Sequence, residues 1–424
     1  KRKRPVTENS VFSYRFLPTE DGVLYGNETA WTDFWNVCLE KSKNYDYVAY
    51  LDIADFYNQI SHHVIENQLI KSGFPNQVLK SVLSLLESLT QGVSRGIPVG
   101  PHSTHILAEM SLIPIDDGLS LRNYDFCRYA DDIVIFCEKE IDARIAIYRF
   151  AEILDKQQRL ILQKQKSTIH KSSDFQEICL QMLNDNPINI IEAEMLKVLK
   201  KYSSGNPYTQ INIKKLSKDE LELFSKEAVE ELIKEYIRPY NPNYSRLRWF
   251  YRRLSQVGIP DAVEFSIKNM DKLIPAISDV CHYLISTDEN YSDDWNNVGE
   301  EVYNLLSNEL IKSNEFFQIS LLSLFVSNPK LNHFDKLITL FKSSSENIKR
   351  KIILAAYKSS ATSWIRELKE DYPSYNLWNK RALLIASSRL PQDEKKYFLG
   401  NIKKHLNSQD IVESILIDWS KKQK

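Results

Sequence analysis

RYADDIVIF, residues 128–136, sets two adjacent carboxylates, Asp131 and Asp132, between an aromatic residue and a run of apolar ones. Adjacent acids repel one another and resist burial. The flanks, YDFCRY before and DIVIFC after, are aromatic and β-branched enough for two short strands that meet at the acid pair. Taken alone, the pair is as well explained by an ordinary hairpin turn, because Asp is a common turn residue. What separates a turn from a site is what the same sheet brings alongside.

A third acid lies upstream. YDYVAYLDI (residues 45–53) reads as another strand, and Asp52 closes it before the sequence runs on as IADFYNQI. Three carboxylates at the ends of neighbouring strands make a hard-oxygen site suited to magnesium, which takes carboxylates together with substrate phosphate oxygens. Two such ions roughly 3.5–4 Å apart activate an attacking hydroxyl and stabilise a leaving pyrophosphate. Their charge also offsets the repulsion that otherwise disfavours ionising both members of the pair.

Four blocks then stand in order. LDIADFYNQI (51–60), GIPVGPHSTHILAE (96–109), RYADDIVIF (128–136) and LILQKQKSTI (160–169) resemble motifs A, B, C and D of reverse transcriptases. A lone Y-x-D-D is a weak signal, whereas four ordered blocks are a strong one. The resemblance implies a palm-type α/β (α+β) domain with fingers, using dNTPs and two Mg²⁺ ions, with Mn²⁺ as a substitute. It implies Asp52, Asp131 and Asp132 as catalytic metal ligands, with Ile53 ligating through its carbonyl. It implies Tyr57 as the aromatic gate against a ribose 2′-hydroxyl, and Lys166 as a proton donor near the leaving phosphates. Gly96, Pro98, Val99 and Gly100 match the loop on which nucleotide and template rest, and Tyr129 is the substrate-facing aromatic of motif C.

The departures from that pattern carry information. Val99 stands where the family usually has Gln, and Gln163 where it usually has Asn. Only 51 residues precede Asp52, so the fingers are expected to be truncated, with Arg15 in SVFSYRFLPTEDGVLYG a triphosphate-contact candidate. The opening Lys1-Arg2-Lys3-Arg4, without Met, reads as a cropped or processed start.

The later chain changes character. Seven of the eleven glycines lie between Gly22 and Gly118, so turn-rich structure is expected early and long helices late. Phe334, Leu337, Ile338 and Phe341 fall at helical spacing, as do Ile348, Ile352, Ala355 and Ala356. Short polar or Pro breaks separate such segments, as in a HEAT-like α-solenoid. The expected organisation is a fingers/palm domain over 1–180, a connecting region over 181–240 containing KKYSSGNPYTQINIKKLSKDE, and a helical repeat domain over 241–424. The Val99 loop with a helical half in place of a thumb resembles the bacterial abortive-infection reverse transcriptases of phage defence. That resemblance implies homo-oligomers and template-free DNA synthesis, with single-stranded DNA left covalently attached to a Tyr. A templated enzyme of the retron or group II intron class, and a scaffold with a vestigial palm, are the rivals.

Composition sets the bounds. The 424 residues are 43% hydrophobic and carry a net charge of −1, so any nucleic-acid binding must come from a local groove. No run is apolar enough to span a membrane and no secretory leader opens the chain. Cys38, Cys127, Cys137, Cys179 and Cys281 form no C-x-x-C, which reads as reduced thiols in a cytoplasmic protein. SHHVIE (61–66) reads as a helix start capped by Ser61 rather than a metal site. His102 and His105 read as satisfied polar positions. YSRLRWFYRR (244–253) suits either stacking on single-stranded DNA or helix packing. Trp364 and Trp378 read as helical core.

Overall fold

Four strands make the sheet on which the acids stand. The computed structural model describes residues 9–18, 20, 24–26, 29–100, 102–184, 187–203, 209–292, 294–406 and 411–423. Lys1–Arg4, Gly22 and Gly205 lie outside them. The chain divides into two compact units, residues 1–186 and 187–424.

The first unit opens with α1 (Ala30–Ser42) and β1 (Tyr47–Asp52). It continues through α2 (Phe56–Gln59), α3 (His62–Lys71), α4 (Asn76–Leu89) and α5 (His102–Ser120). A hairpin follows, β2 (Asp125–Tyr129) with β3 (Asp132–Cys137), then α6 (Glu140–Gln158), β4 (Thr168–Lys171) and α7 (Ser172–Leu183). The strand order is β2-β3-β1-β4, with every pairing antiparallel. Side chains alternate across the sheet. Leu51, Ile133, Ile135 and Phe126 join Leu112, Ile115 and Phe150 of α5 and α6 on one face. Val48, Val134 and Phe136 join Phe34, Trp35 and Phe175 of α1 and α7 on the other. With both faces covered, polar groups meet solvent only at the strand ends.

The strand expected near Leu160 is not formed there. Arg159 takes a left-handed turn at the end of α6 with φ 56°. The chain then makes a single bridge, Ile53 to Leu162, flanked by Ala54 N–H to Ile161 O at 2.8 Å and Gln163 N–H to Asp52 O at 2.8 Å. The polar KQKS turn ends that pairing, and the regular strand begins at Thr168.

The second unit is helical. Residues 181–240, expected as a connection, carry the helices Ile190–Ser203, Lys218–Glu222 and Lys226–Tyr236. Leu196, Leu199, Val229, Leu232 and Ile233 pack into one core with Leu247, Phe250 and Leu254. Lysines interleaved with these positions hide the apolar stripe in the sequence. Beyond them Tyr244–Val257 packs on Ile277–Ser286, that helix on Glu315–Ser327, that on Glu346–Ser359, that on Leu377–Ala386, and that on Ile411–Lys422.

The arginines of YSRLRWFYRR are engaged inside this unit. Arg246 pairs with buried Glu192, Arg252 with Asp279 at 2.7 Å, Arg248 donates to Pro275 O and Arg253 to Gln256. This is a packing surface. Trp364 is buried in the core, but Trp378 is only half-buried, with the guanidinium carbons of Arg350 and Arg381 at 4.7 and 5.0 Å from its ring. The five cysteines are free and buried. Among the described residues no helix is long and apolar enough to cross a membrane.

Candidate active site

Register places the first two acids. Asp52 and Asp132 are direct partners across β1 and β3, the arrangement in which like charges destabilise a sheet. Asp131 sits in the two-residue turn between Tyr129 and Asp132, after Ala130. Ala130 has φ 51°, a left-handed conformation in which turns usually use glycine. Tyr50, two residues before Asp52 and on the same face, donates its hydroxyl to Asp132 Oδ1 at 2.8 Å. Lys166 pairs with Asp52 Oδ2 at 2.6 Å from a side chain that is 66% exposed. As the site stands, that ammonium is the counter-ion of the motif A acid.

Burial pushes the Asp132 carboxyl up to about 6, with the Tyr50 hydrogen bond opposing and Asp131 and Asp52 adding repulsion. Burial also raises Asp131. The sign of the linkage follows. A carboxyl raised in the folded state binds its proton before the unfolded chain does, so lowering pH through 6 stabilises the metal-free fold, and raising pH through 6 removes that stability. In chelator, Asp132→Asn is therefore expected to flatten the difference in melting temperature between pH 5.5 and 7.5. Thermal melts check this, and a slope unchanged from wild type refutes it.

Asp52 and Asp131 open into a cleft of about 270 Å³, also lined by Ile53, Tyr57, Val99, Gln163 and Lys166, among others, while Asp132 stands behind it, held by Tyr50. The loop opposite is stitched to the segment after Asp52. Ile97 N–H donates to Tyr57 O at 3.0 Å and Gly96 N–H to Ile60 O at 2.8 Å. Gly96 (φ 93°) and Gly100 (φ 127°) hold conformations that a side chain would strain. Val99, between them, is 71% exposed. Pro98 fixes the loop without lining the cleft.

Arg15 is not brought to the cleft. Its guanidinium folds back on Val11 O, at 3.1 Å from Nε and 2.6 Å from a terminal nitrogen. Tyr129 points to the α1 side, where it meets Trp31 and Phe34. His105 is not the satisfied polar position expected: its buried Nδ1 lacks a hydrogen bond, and its ring lies 4.2 Å from that of Tyr14.

Sequence reasoning missed the support beneath the acids. Arg128 is 1% exposed, on the α5 side of the sheet. Its guanidinium bonds both oxygens of Asp116 at 2.7 Å, both of Glu109 at 3.0 and 3.1 Å, and Ala130 O at 3.1 Å. A cation inside the opening stretch was the available signal, but its acids stand on another helix. Ser61 caps α3 as expected, and the adjacent buried His62 bonds Gly96 O at 2.8 Å.

The donor set fits a divalent cation: three hard carboxylates, two of them raised by burial and repulsion that a cation relieves. Among the described residues, no three metal-ligating side chains converge as a ready-made cage. Lys166 and Tyr50 each hold an oxygen that a cation would take.

Residues 5–186, nearly all of the first unit, match the reverse transcriptase (RNA-dependent DNA polymerase) family model. The match spans less than half of the chain, and residues 187–424 lie outside it. No curated protein matches the chain.

Proposed function

We propose that this chain adds deoxynucleotides to a hydroxyl primer with two Mg²⁺ ions, without copying a template, as an abortive-infection phage-defence enzyme. The observation that carries the nucleotidyl transfer is the cleft itself, with Asp52 opposite Asp132, Asp131 at the turn, and Tyr57 on the wall. When bound, the ions acidify the attacking hydroxyl and neutralise charge on the leaving pyrophosphate. The hydroxyl oxygen forms a bond to the α-phosphorus, the bond from that phosphorus to the bridging oxygen breaks, and pyrophosphate leaves. Asp52, Asp131 and Asp132 hold the ions, with the Ile53 carbonyl beside them. Tyr57 closes the sugar side against a 2′-hydroxyl. Lys166, once Asp52 is taken by a cation, is free to give a proton to pyrophosphate.

Template independence is supported by Val99, which presents an alkyl group to the cleft where an amide usually steadies the nucleotide against the template. Priming from a Tyr, a covalently held single-stranded product, homo-oligomers and a cytoplasmic location follow from the abortive-infection resemblance. A HEAT-like reading of the second unit is supported by its ladder of core helices, which begin about every 30–40 residues.

Purified protein with labelled dNTPs and Mg²⁺, but no template or primer, tests the reading. The expected product is labelled DNA that protease releases from a protein-bound state. Strict dependence on added RNA would instead make the enzyme a templated reverse transcriptase. Val99→Gln is expected to alter incorporation rate and base preference, as read by sequencing the product. If neither changes, Val99 has no part in template independence.

A further inference from the structure

We propose that Ser13 is a positioning residue of the nucleotidyl-transfer site, holding the turn that carries Asp131. This rests on the reading above and adds a residue that motif matching does not assign.

The segment is tied to the outer edge of the catalytic hairpin. Val11 forms a parallel bridge with Arg128; Arg128 N–H donates to Ser10 O at 2.6 Å and Phe12 N–H to Arg128 O at 3.0 Å. The next residue reaches the turn. Ala130 N–H donates to Ser13 Oγ at 2.8 Å, and Ser13 Oγ–H donates to the Glu109 carboxylate. An amide can only donate, so the serine proton must go to Glu109, and the hydroxyl is oriented without ambiguity. Ser13 is 1% exposed, so no water stands in for it. The Ala130 conformation is one that persists only when its surroundings over-determine it. Ser13 from above and Arg128 from below supply that constraint.

Tyr14, the residue after Ser13, is left-handed with φ 45°, and its ring lies 4.2 Å from that of His105 on α5. The segment is thus fixed on both sides of Ser13, by the bridge at Val11 and by the ring contact at Tyr14.

In the full chain, Ser13→Ala should lower kcat about tenfold or more for dNTPs and rNTPs alike, with KM little changed. Hydrogen exchange of the amides at 129–132 should quicken in the same variant, a readout that does not depend on activity. The proposal is overturned if Ser13→Ala loses turnover only in proportion to its unfolded fraction, or if exchange at Ala130 is unaltered. A wild-type chain that incorporates nothing defeats the proposed function instead, and the exchange experiment still decides the tether.

Discussion

Replacing Asp131 and Asp132 together by alanine is expected to lower nucleotide incorporation by about a thousandfold or more, since the metal charge stabilisation lost is worth several kcal/mol. The same variant is expected to melt no lower than wild type in chelator. The two carboxyls are raised in the fold, so their ionised forms oppose it. Activity and metal-free stability should therefore part company, which a damaged fold would not produce. Single-turnover incorporation and thermal melts measure the two quantities. A double variant that keeps its rate within tenfold of wild type would remove the acids from the chemistry.

The largest stability effect is expected at Arg128→Met. The side chain is fully buried and sits between two carboxylates, both of which its removal leaves without their cation. Breaking a buried pair from one side costs about 3–5 kcal/mol, because an uncompensated charge stays behind. The effect should show as a lower urea midpoint at pH 7.5. A loss below about 1 kcal/mol would mean that the guanidinium is not the cluster's counter-ion.

These two results bear on different parts of one stretch, and only one part was legible beforehand. Asp52, Asp131 and Asp132 could be brought together on paper because each ends an aromatic or β-branched run, and strand ends in one sheet converge. Tyr57 and the Gly96–Gly100 loop came from the resemblance of their blocks to motifs A and B. Arg128 stood in plain view, but its role depends on Glu109 and Asp116 lying on one face of α5, and on Ser13 arriving from the start of the domain. No local pattern encodes such contacts. Arg15 was offered as a phosphate contact on a resemblance of its segment to the fingers, whereas its guanidinium is taken up by Val11 O, four residues earlier in the chain. The misplaced strand near Leu160 is a matter of one left-handed residue, Arg159, which cuts an apolar run down to a bridge. The helices of 187–236 were hidden by the exposed lysines and glutamates interleaved with their buried positions.

The Lys166–Asp52 pair bears on how the protein behaves between turnovers. A cleft that carries its own ammonium is never stripped bare when divalent ions are scarce, because the stand-in is attached to the chain and cannot be dialysed away. On the proposed function, loading an ion would be an exchange rather than an addition, and it would release the lysine into a cleft that had just acquired something else to neutralise.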